Sequence, residues 1–237
     1  SLKRLKTDYI DLYQLHWPNR GSYHFRKYWT FNPTNQSSGE MEDHVEKILS
    51  VSTDLIKAGK IRALGLSNES TWGTMKFIEI AKRNNLTKIV SIQNEYSLLC
   101  RLFDTDFAEL CHHEDIQLLS YSPLAAGLLT GKYQNQKIPK DSRLEVTQNS
   151  SPNLSGRIGP TTFDAVKAYL QVAKTFNIDP IHMALAFCTS RPFMGSVIFG
   201  ATSKEQLSHV LKGLDIKLSN ELLTELNNVN RKNPMPI

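Results

Sequence analysis

The chain has 237 residues, 28 Lys plus Arg against 23 Asp plus Glu, and a formal net charge of +5. That length suits one (β/α)₈ barrel or two smaller domains, and a globular chain of this size buries roughly 70–75% of its unfolded surface, enough for a core without disulfides or metal. An apolar content of 40% with 22% charged residues excludes a disordered, collagenous or acidic-tail chain. The longest apolar run, residues 183–188, is far short of the ~20 residues of a helical membrane span, and the scattered basic excess gives no nucleic-acid-binding stripe.

Residues 1–6 read as the end of a helix, with Leu2 and Leu5 three apart. Residues 9–16, Tyr-Ile-Asp-Leu-Tyr-Gln-Leu-His, are rich in strand formers and stop at Trp17-Pro18, where proline ends the ladder. Residues 19–39 show no period and read as a long loop. From residue 40 to 58 a helix pattern places Met41, Val45, Ile48, Leu49, Leu55 and Ile56 on one face, and Gly59 closes it. The cycle then repeats. Strand 61–66 ends in Ser67-Asn68, and a helix follows with Trp72, Met75 and Ile78 on its expected buried stripe. Strand 89–92 ends in Gln93-Asn94-Glu95, before a short helix carrying Phe107, Leu110 and Cys111. Strand 116–120 ends in Tyr121-Ser122-Pro123-Leu124. Residues 127–160, rich in Gly, Pro, Asn and Ser, read as a long loop of the kind that forms lids. Two helices follow, the second opened by Asp179 as N-cap with Pro180 in first position. Strand 195–199 ends in Gly200-Ala201-Thr202. A helix capped by Thr202 or Ser203 comes next, and a last one starts after Ser219.

Alternating strands and helices with near-continuous apolar strands predict a parallel sheet covered by helices, in a single domain over residues 1–237. In a (β/α)₈ barrel the chemistry sits where strands end. Here the strand ends carry His16, Ser67-Asn68, Gln93, Tyr121-Ser122, and Gly200 with Thr202. A neutral His16 ring can polarise a carbonyl oxygen, or serve as an ordinary hydrogen-bonded rim residue. Ser67, Asn68 and Gln93 together offer the donors and acceptors that a planar carboxamide needs, although Ser67-Asn68 also suits a helix cap. Tyr121 offers a flat face to a heteroaromatic ring. Gly200-Ala-Thr-Ser203 ahead of a helix suits a phosphate, as Lys132 and Arg143 in the long loop do. Residues 127–132 are not a P-loop: position 126 is Ala, and Tyr133 stands where the Mg²⁺-binding hydroxyl would be. His112-His113 are adjacent on a helix and make a poor metal pair, so no metal site is expected. The three cysteines, Cys100, Cys111 and Cys188, show no CxxC spacing. They read as buried apolar residues of a reducing, cytoplasmic compartment.

The segments 1–17, Gly59-Lys-Ile-Arg-Ala-Leu-Gly-Leu-Ser-Asn68, Ile92-Gln-Asn-Glu-Tyr96, Tyr121-Ser-Pro-Leu124 and Gly200-Ala-Thr-Ser203 resemble, in order, the signature of the aldo-keto reductase superfamily. The long polar insert after His16 is most like the bacterial Tas-type branch, and the last two motifs are shared with potassium-channel beta subunits. The resemblance implies NADP(H)-dependent reduction of aldehydes and ketones in a (β/α)₈ barrel, of which this chain holds five strands, the fourth to the eighth. It implies that His16 is the active-site histidine and that Ser67, Asn68 and Gln93 hold the nicotinamide carboxamide. Tyr121 would then stack on the nicotinamide, with Ser122, Pro123, Leu124, Lys132 and Arg143 along the pyrophosphate. Gly200, Thr202 and Gln206 would meet the adenosine phosphate.

Two departures stand out. Where the family has Glu-Asn at the adenine, this chain has His209-Val210. The family's tyrosine proton donor, with its lysine and aspartate, comes from segments ahead of the strand that ends in His16, and no tyrosine here matches it. The expectation is a barrel section inactive by itself, its open edges covered by self-association or a partner chain. The alternative is a non-catalytic cofactor-binding module, a redox sensor or accessory subunit.

Overall fold

The computed structural model describes all 237 residues. Helix α1 (Leu2–Leu5) leads into β1 (Ile10–Leu15), α2 (Ser38–Lys57), β2 (Ile61–Ser67), α3 (Thr71–Arg83), β3 (Ile89–Gln93), α4 (Asp106–Glu114) and β4 (Gln117–Tyr121). The short α5 (Arg143–Val146) and α6 (Pro152–Gly156) follow, then α7 (Thr162–Thr175), α8 (Pro180–Thr189), β5 (Met194–Ile198), α9 (Lys204–Leu211) and α10 (Asn220–Lys232). The strands form one parallel sheet in the order β1-β2-β3-β4-β5. Sequential parallel order with a helix in the crossovers is the connectivity of part of a (β/α)₈ barrel. No helix is long and apolar enough to cross a membrane.

The chain divides into two compact units. The first comprises Ser1–Asn94 and Thr105–Leu118. Its core is built from Val45 and Leu49 of α2, Leu64 and Leu66 of β2, Phe77 and Ile80 of α3, Ile89 and Ile92 of β3, and Phe107 and Leu110 of α4, all buried. Strand pairing puts Leu15 beside Leu66 and Ser67 beside Gln93, so these strands end level with one another. Gly65 makes the close approach of β2 to β3 feasible, because a Cβ there would stand 2.6 Å from Ser91 Oγ. Serine caps start both long helices: Ser37 Oγ accepts from the Glu40 N–H and Ser70 Oγ from the Gly73 N–H.

Two details depart from the sequence reading. Trp72 is 43% exposed rather than part of the buried stripe. The face that α3 buries is Gly73, Thr74, Phe77, Ile78, Ile80 and Ala81, while the Arg20 guanidinium lies over the Trp72 ring, 5.2 Å from its centroid. The segment 19–36 has no long helix or strand, yet side chains tie it down. Arg20 forms an ion pair with Glu69, buried on both sides. The buried His24 bonds through Nε2 to the Glu69 carbonyl at 3.1 Å, and Gln36 Nε2 donates to the Arg20 carbonyl at 2.9 Å. Periodicity is blind to such an anchorage, since it rests on single polar contacts between distant positions.

The second unit comprises Glu95–Asp104 and Leu119–Ile237. Tyr96, Phe187 and Phe193 form its aromatic centre, with Tyr96 stacked on Phe187 at 5.9 Å and edge-on to Phe193 at 5.5 Å. The Tyr96 hydroxyl donates to Asp104 Oδ1 at 2.6 Å, and Asp104 is also paired with Arg101 and Arg191. Tyr169 of α7 donates its hydroxyl to the Leu98 carbonyl at 2.9 Å. Residues 127–160 are far from the open loop that their composition predicts. Tyr133, Ser142, Leu154 and Arg157 are buried in them, and α5 and α6 break the stretch into turns. Asn153, Leu154 and Ser155 take successive left-handed conformations (φ 56, 52 and 60°), and Leu154 is buried in that turn. The caps fall where the sequence puts them, on Asp179, Ser203 and Ser219; of the two candidates ahead of α9, Ser203 rather than Thr202 takes the role. All three cysteines are buried as free thiols. Burial pushes Cys111 up to about 12, so this thiol is un-ionised at neutral pH.

Candidate cofactor and carbonyl site

The ends of β1, β2 and β3 are tied together by side chains of the predicted set. Asn68 takes a left-handed backbone conformation, φ 55°, which Asn tolerates better than most residues. Its Nδ2 donates to the His16 carbonyl at 2.9 Å and to Ser67 Oγ at 3.0 Å, while the Ser67 hydroxyl donates to the Gln93 carbonyl at 2.8 Å. The Asn68 backbone N–H also reaches the Gln93 carbonyl, at 3.0 Å. Ser67 and Asn68 are buried, and the hydrogens of both side chains are committed to this network. The helix that follows is capped by Ser70 instead. Gln93 differs: its amide is half-buried and makes no hydrogen bond within the chain. The His16 ring is exposed and touches the Trp17 ring, with centroids 4.1 Å apart.

Beside these strand ends lies a cavity of about 770 Å³, within the first unit. His16, Trp17, Arg20 and Ser67 line it, together with Met41 and His44 of α2 and Trp72 of α3. Its polar lining is mostly paired: His44 with Asn19 at 3.2 Å, Arg20 with Glu69, and Lys76 with Glu42 at 2.9 Å. The helical wall of this cavity was not legible in sequence. Met41 and Val45 read simply as a core face, and nothing in that pattern distinguishes a packed face from one that borders a void.

In the second unit Tyr121 ends β4 half-buried, and its backbone carbonyl accepts from the Tyr96 N–H at 3.3 Å. Ser122 takes φ 55°, and its Oγ accepts from Arg157 Nη2 at 3.4 Å. Pro123 is buried and Leu124 half-buried. Lys132 is exposed, its ammonium 5.1 Å from the centroid of the Tyr133 ring, and Arg143 is exposed at the start of α5. Gly200, Thr202 and Gln206 are exposed too, and Gln206 Oε1 accepts both from the Thr202 N–H at 3.0 Å and from its hydroxyl at 3.2 Å.

Five sequential parallel strands joined by helices are the arrangement of part of a (β/α) barrel. Residues 1–231 match the Aldo/keto reductase family, and the chain belongs to that family of oxidoreductases. It is 38% identical over 231 residues to Protein tas of Escherichia coli (strain K12), a match covering 98% of this chain and 64% of that protein. To an aldo-keto reductase of Babesia bovis it is 38% identical over 218 residues, 87% of this chain and 74% of that one. To a putative voltage-gated potassium channel subunit beta of Schizosaccharomyces pombe it is 30% identical over 244 residues, 100% of this chain and 64% of the relative. The chain thus spans less than two thirds of the length of the bacterial and yeast relatives.

Proposed function

We propose that this chain is the section of an NADP(H)-dependent carbonyl reductase that grips the nicotinamide and presents a histidine to the carbonyl. The observation that carries the reading is the bonded set of strand ends, His16, Ser67, Asn68 and Gln93, in a chain of this family. The residues fit a carboxamide in a specific way. The Gln93 side-chain amide, with a donor and an acceptor both unengaged, would hold it, and Ser67 and Asn68 could give up their one mutual bond for it. Bound there, NADPH would supply the hydride. His16, exposed beside the cavity, donates a ring N–H to the substrate oxygen and orients it. The aromatic and apolar part of the cavity, Trp17, Met41 and Trp72, suits the body of a small aldehyde or ketone.

The assignment of Tyr121 to stacking on the nicotinamide, of Ser122, Pro123, Leu124, Lys132 and Arg143 to the pyrophosphate, and of Gly200, Thr202 and Gln206 to the adenosine end rests on the motif match. The start of α9, behind Thr202 and Ser203, favours the cofactor that carries the extra phosphate. The complete protein is therefore expected to oxidise NADPH in the presence of an aromatic aldehyde, followed by absorbance, and to do so less effectively with NADH. Equal rates with the two cofactors would contradict the phosphate assignment, and no oxidation of either would remove the reductase reading. The similarity to a channel beta subunit supports a second reading, a cofactor-binding module without turnover. NADPH binding with no aldehyde-dependent oxidation by the complete protein would favour that one.

A further inference from the structure

The His209 that departs from the family pattern is absorbed by none of these roles, and in the second unit it meets Asp179 and His182. We propose that Asp179, His182 and His209 form a binding site for a zinc-like divalent transition metal that clips α9 to α8. The three ligand atoms lie within 4.8 Å of one another. Asp179 divides its work between its two oxygens. Oδ1 caps α8, accepting from the Ile181 N–H at 2.8 Å and the His182 N–H at 3.2 Å, while Oδ2 lies 3.1 Å from His209 Nε2. Ligand atoms around a tetrahedral zinc stand about 3.3 Å apart, given bonds of roughly 2.0–2.1 Å, so the carboxylate and one imidazole are already at coordination spacing.

His182 completes the set. Its Nε2 lies 2.7 Å from the His209 carbonyl. Donating a proton there leaves the lone pair on Nδ1, the arrangement by which a backbone carbonyl fixes the tautomer of a metal-bound histidine. The two rings stack with centroids 4.8 Å apart. Gly213 lies so close to the His182 ring that a Cβ there would run into it, which restricts the ring's escape. Two imidazoles and one carboxylate suit zinc, copper, nickel or iron rather than calcium or magnesium, which require mostly oxygen ligands. Three protein ligands leave a fourth position for water. The sequence does not reveal the site because His209 lies 27 residues beyond His182, on a different helix.

The test is titration of the full chain with Co²⁺, read by visible d–d absorption, followed by displacement with Zn²⁺. Wild type is expected to take up one equivalent of Co²⁺ and to release it to Zn²⁺. Asp179→Asn keeps the capping oxygen, since Asn caps as well as Asp, but loses the ligand, and His209→Ala removes a partly exposed ring. Each is expected to weaken Co²⁺ binding at least about tenfold with unchanged circular dichroism. A His112→Ala/His113→Ala chain, altered at the exposed pair on α4, is expected to bind as wild type. Absence of Co²⁺ binding by wild type would overturn the proposal. So would retention of wild-type affinity by both Asp179→Asn and His209→Ala, or loss of affinity in the His112/His113 chain, which would mark an adventitious surface site.

Discussion

On the proposed reductase reading, these 237 residues, assayed alone with NADPH and 4-nitrobenzaldehyde, are expected to turn over at least about 10²-fold more slowly than a protein extended to the length of the bacterial and yeast relatives. Reduction of a carbonyl needs a proton for the developing alkoxide as well as a hydride, and a positioned general acid is typically worth 10²–10⁴-fold. The chain has eight tyrosines, and a tyrosine acts as an acid near neutral pH only when its surroundings lower its pKa from ~10. The perturbed ones go the wrong way. Burial, followed by the charge of Asp104, pushes Tyr96 up, and burial pushes Tyr169 up against the opposing charge of Arg101. Both hydroxyls are also engaged, with Asp104 and with the Leu98 carbonyl. On the proposed reading His16 would hold the carbonyl, one polar contact where the reaction needs several. Turnover by the 237 residues within tenfold of that extended protein would contradict the argument and would place a proton donor inside this chain.

The largest expected loss of stability follows from Arg157→Ala. Arg157 grips Glu95 with both prongs of its guanidinium, Nε to Oε1 at 2.9 Å and Nη2 to Oε2 at 3.0 Å, with the side chains 9% and 5% exposed. Its Nη1 donates to the Leu154 carbonyl at 2.9 Å, and its own carbonyl accepts from Thr162 Oγ1 at 3.1 Å. Removing one partner of a buried pair strands the other's charge, at a cost of about 3–5 kcal/mol. For a chain of this size that is a fall in Tm of roughly 6–20 °C. Arg157→Lys keeps the charge but not the fork, and should fall between. Chemical denaturation monitored by circular dichroism measures both. A loss below about 1 kcal/mol for Arg157→Ala would show that water reaches Glu95 and that the pair is not closed in solution. The consequence reaches the candidate site, because the same guanidinium bonds to Ser122, one of the residues assigned to the pyrophosphate.

The strands, their order and most of the caps were readable because they follow from period and local chemistry. An apolar run of strand length ends at a polar residue, and Asp179-Pro180 can do little but open a helix. The stripe on α3 was misread because a tryptophan at helical spacing looks like core, whereas here it serves as a platform for Arg20 from a distant loop. The compactness of residues 127–160 was illegible for a related reason. Gly, Asn, Ser and Pro predict turns, but only Tyr133, Leu154 and Arg157 decide whether those turns pack, and three isolated residues have no period. The candidate site divides the same way. The positions of His16, Ser67, Asn68 and Gln93 at the strand ends could be read because each follows an apolar run of strand length. That Ser67 and Asn68 would spend their side-chain hydrogens on each other's neighbours, the Gln93 and His16 carbonyls, and on the Ser67 hydroxyl, leaving the Gln93 side-chain amide unengaged, depends on rotamers that no sequence pattern encodes. The triad of Asp179, His182 and His209 needed the fold altogether.

Whether the β1–β3 strand ends hold a nicotinamide is read most directly at Gln93. Its amide bonds to nothing else in the chain, so Gln93→Ala should leave Tm nearly unchanged while removing a direct contact to the cofactor. A hydrogen bond is worth about 0.5–1.5 kcal/mol, or roughly 3–10-fold in affinity. Titration of the complete protein with NADPH, followed by quenching of tryptophan fluorescence, is predicted to give a Kd raised by that factor in Gln93→Ala. A Kd identical to wild type, with the fold intact, would contradict the placement of the cofactor at these strand ends.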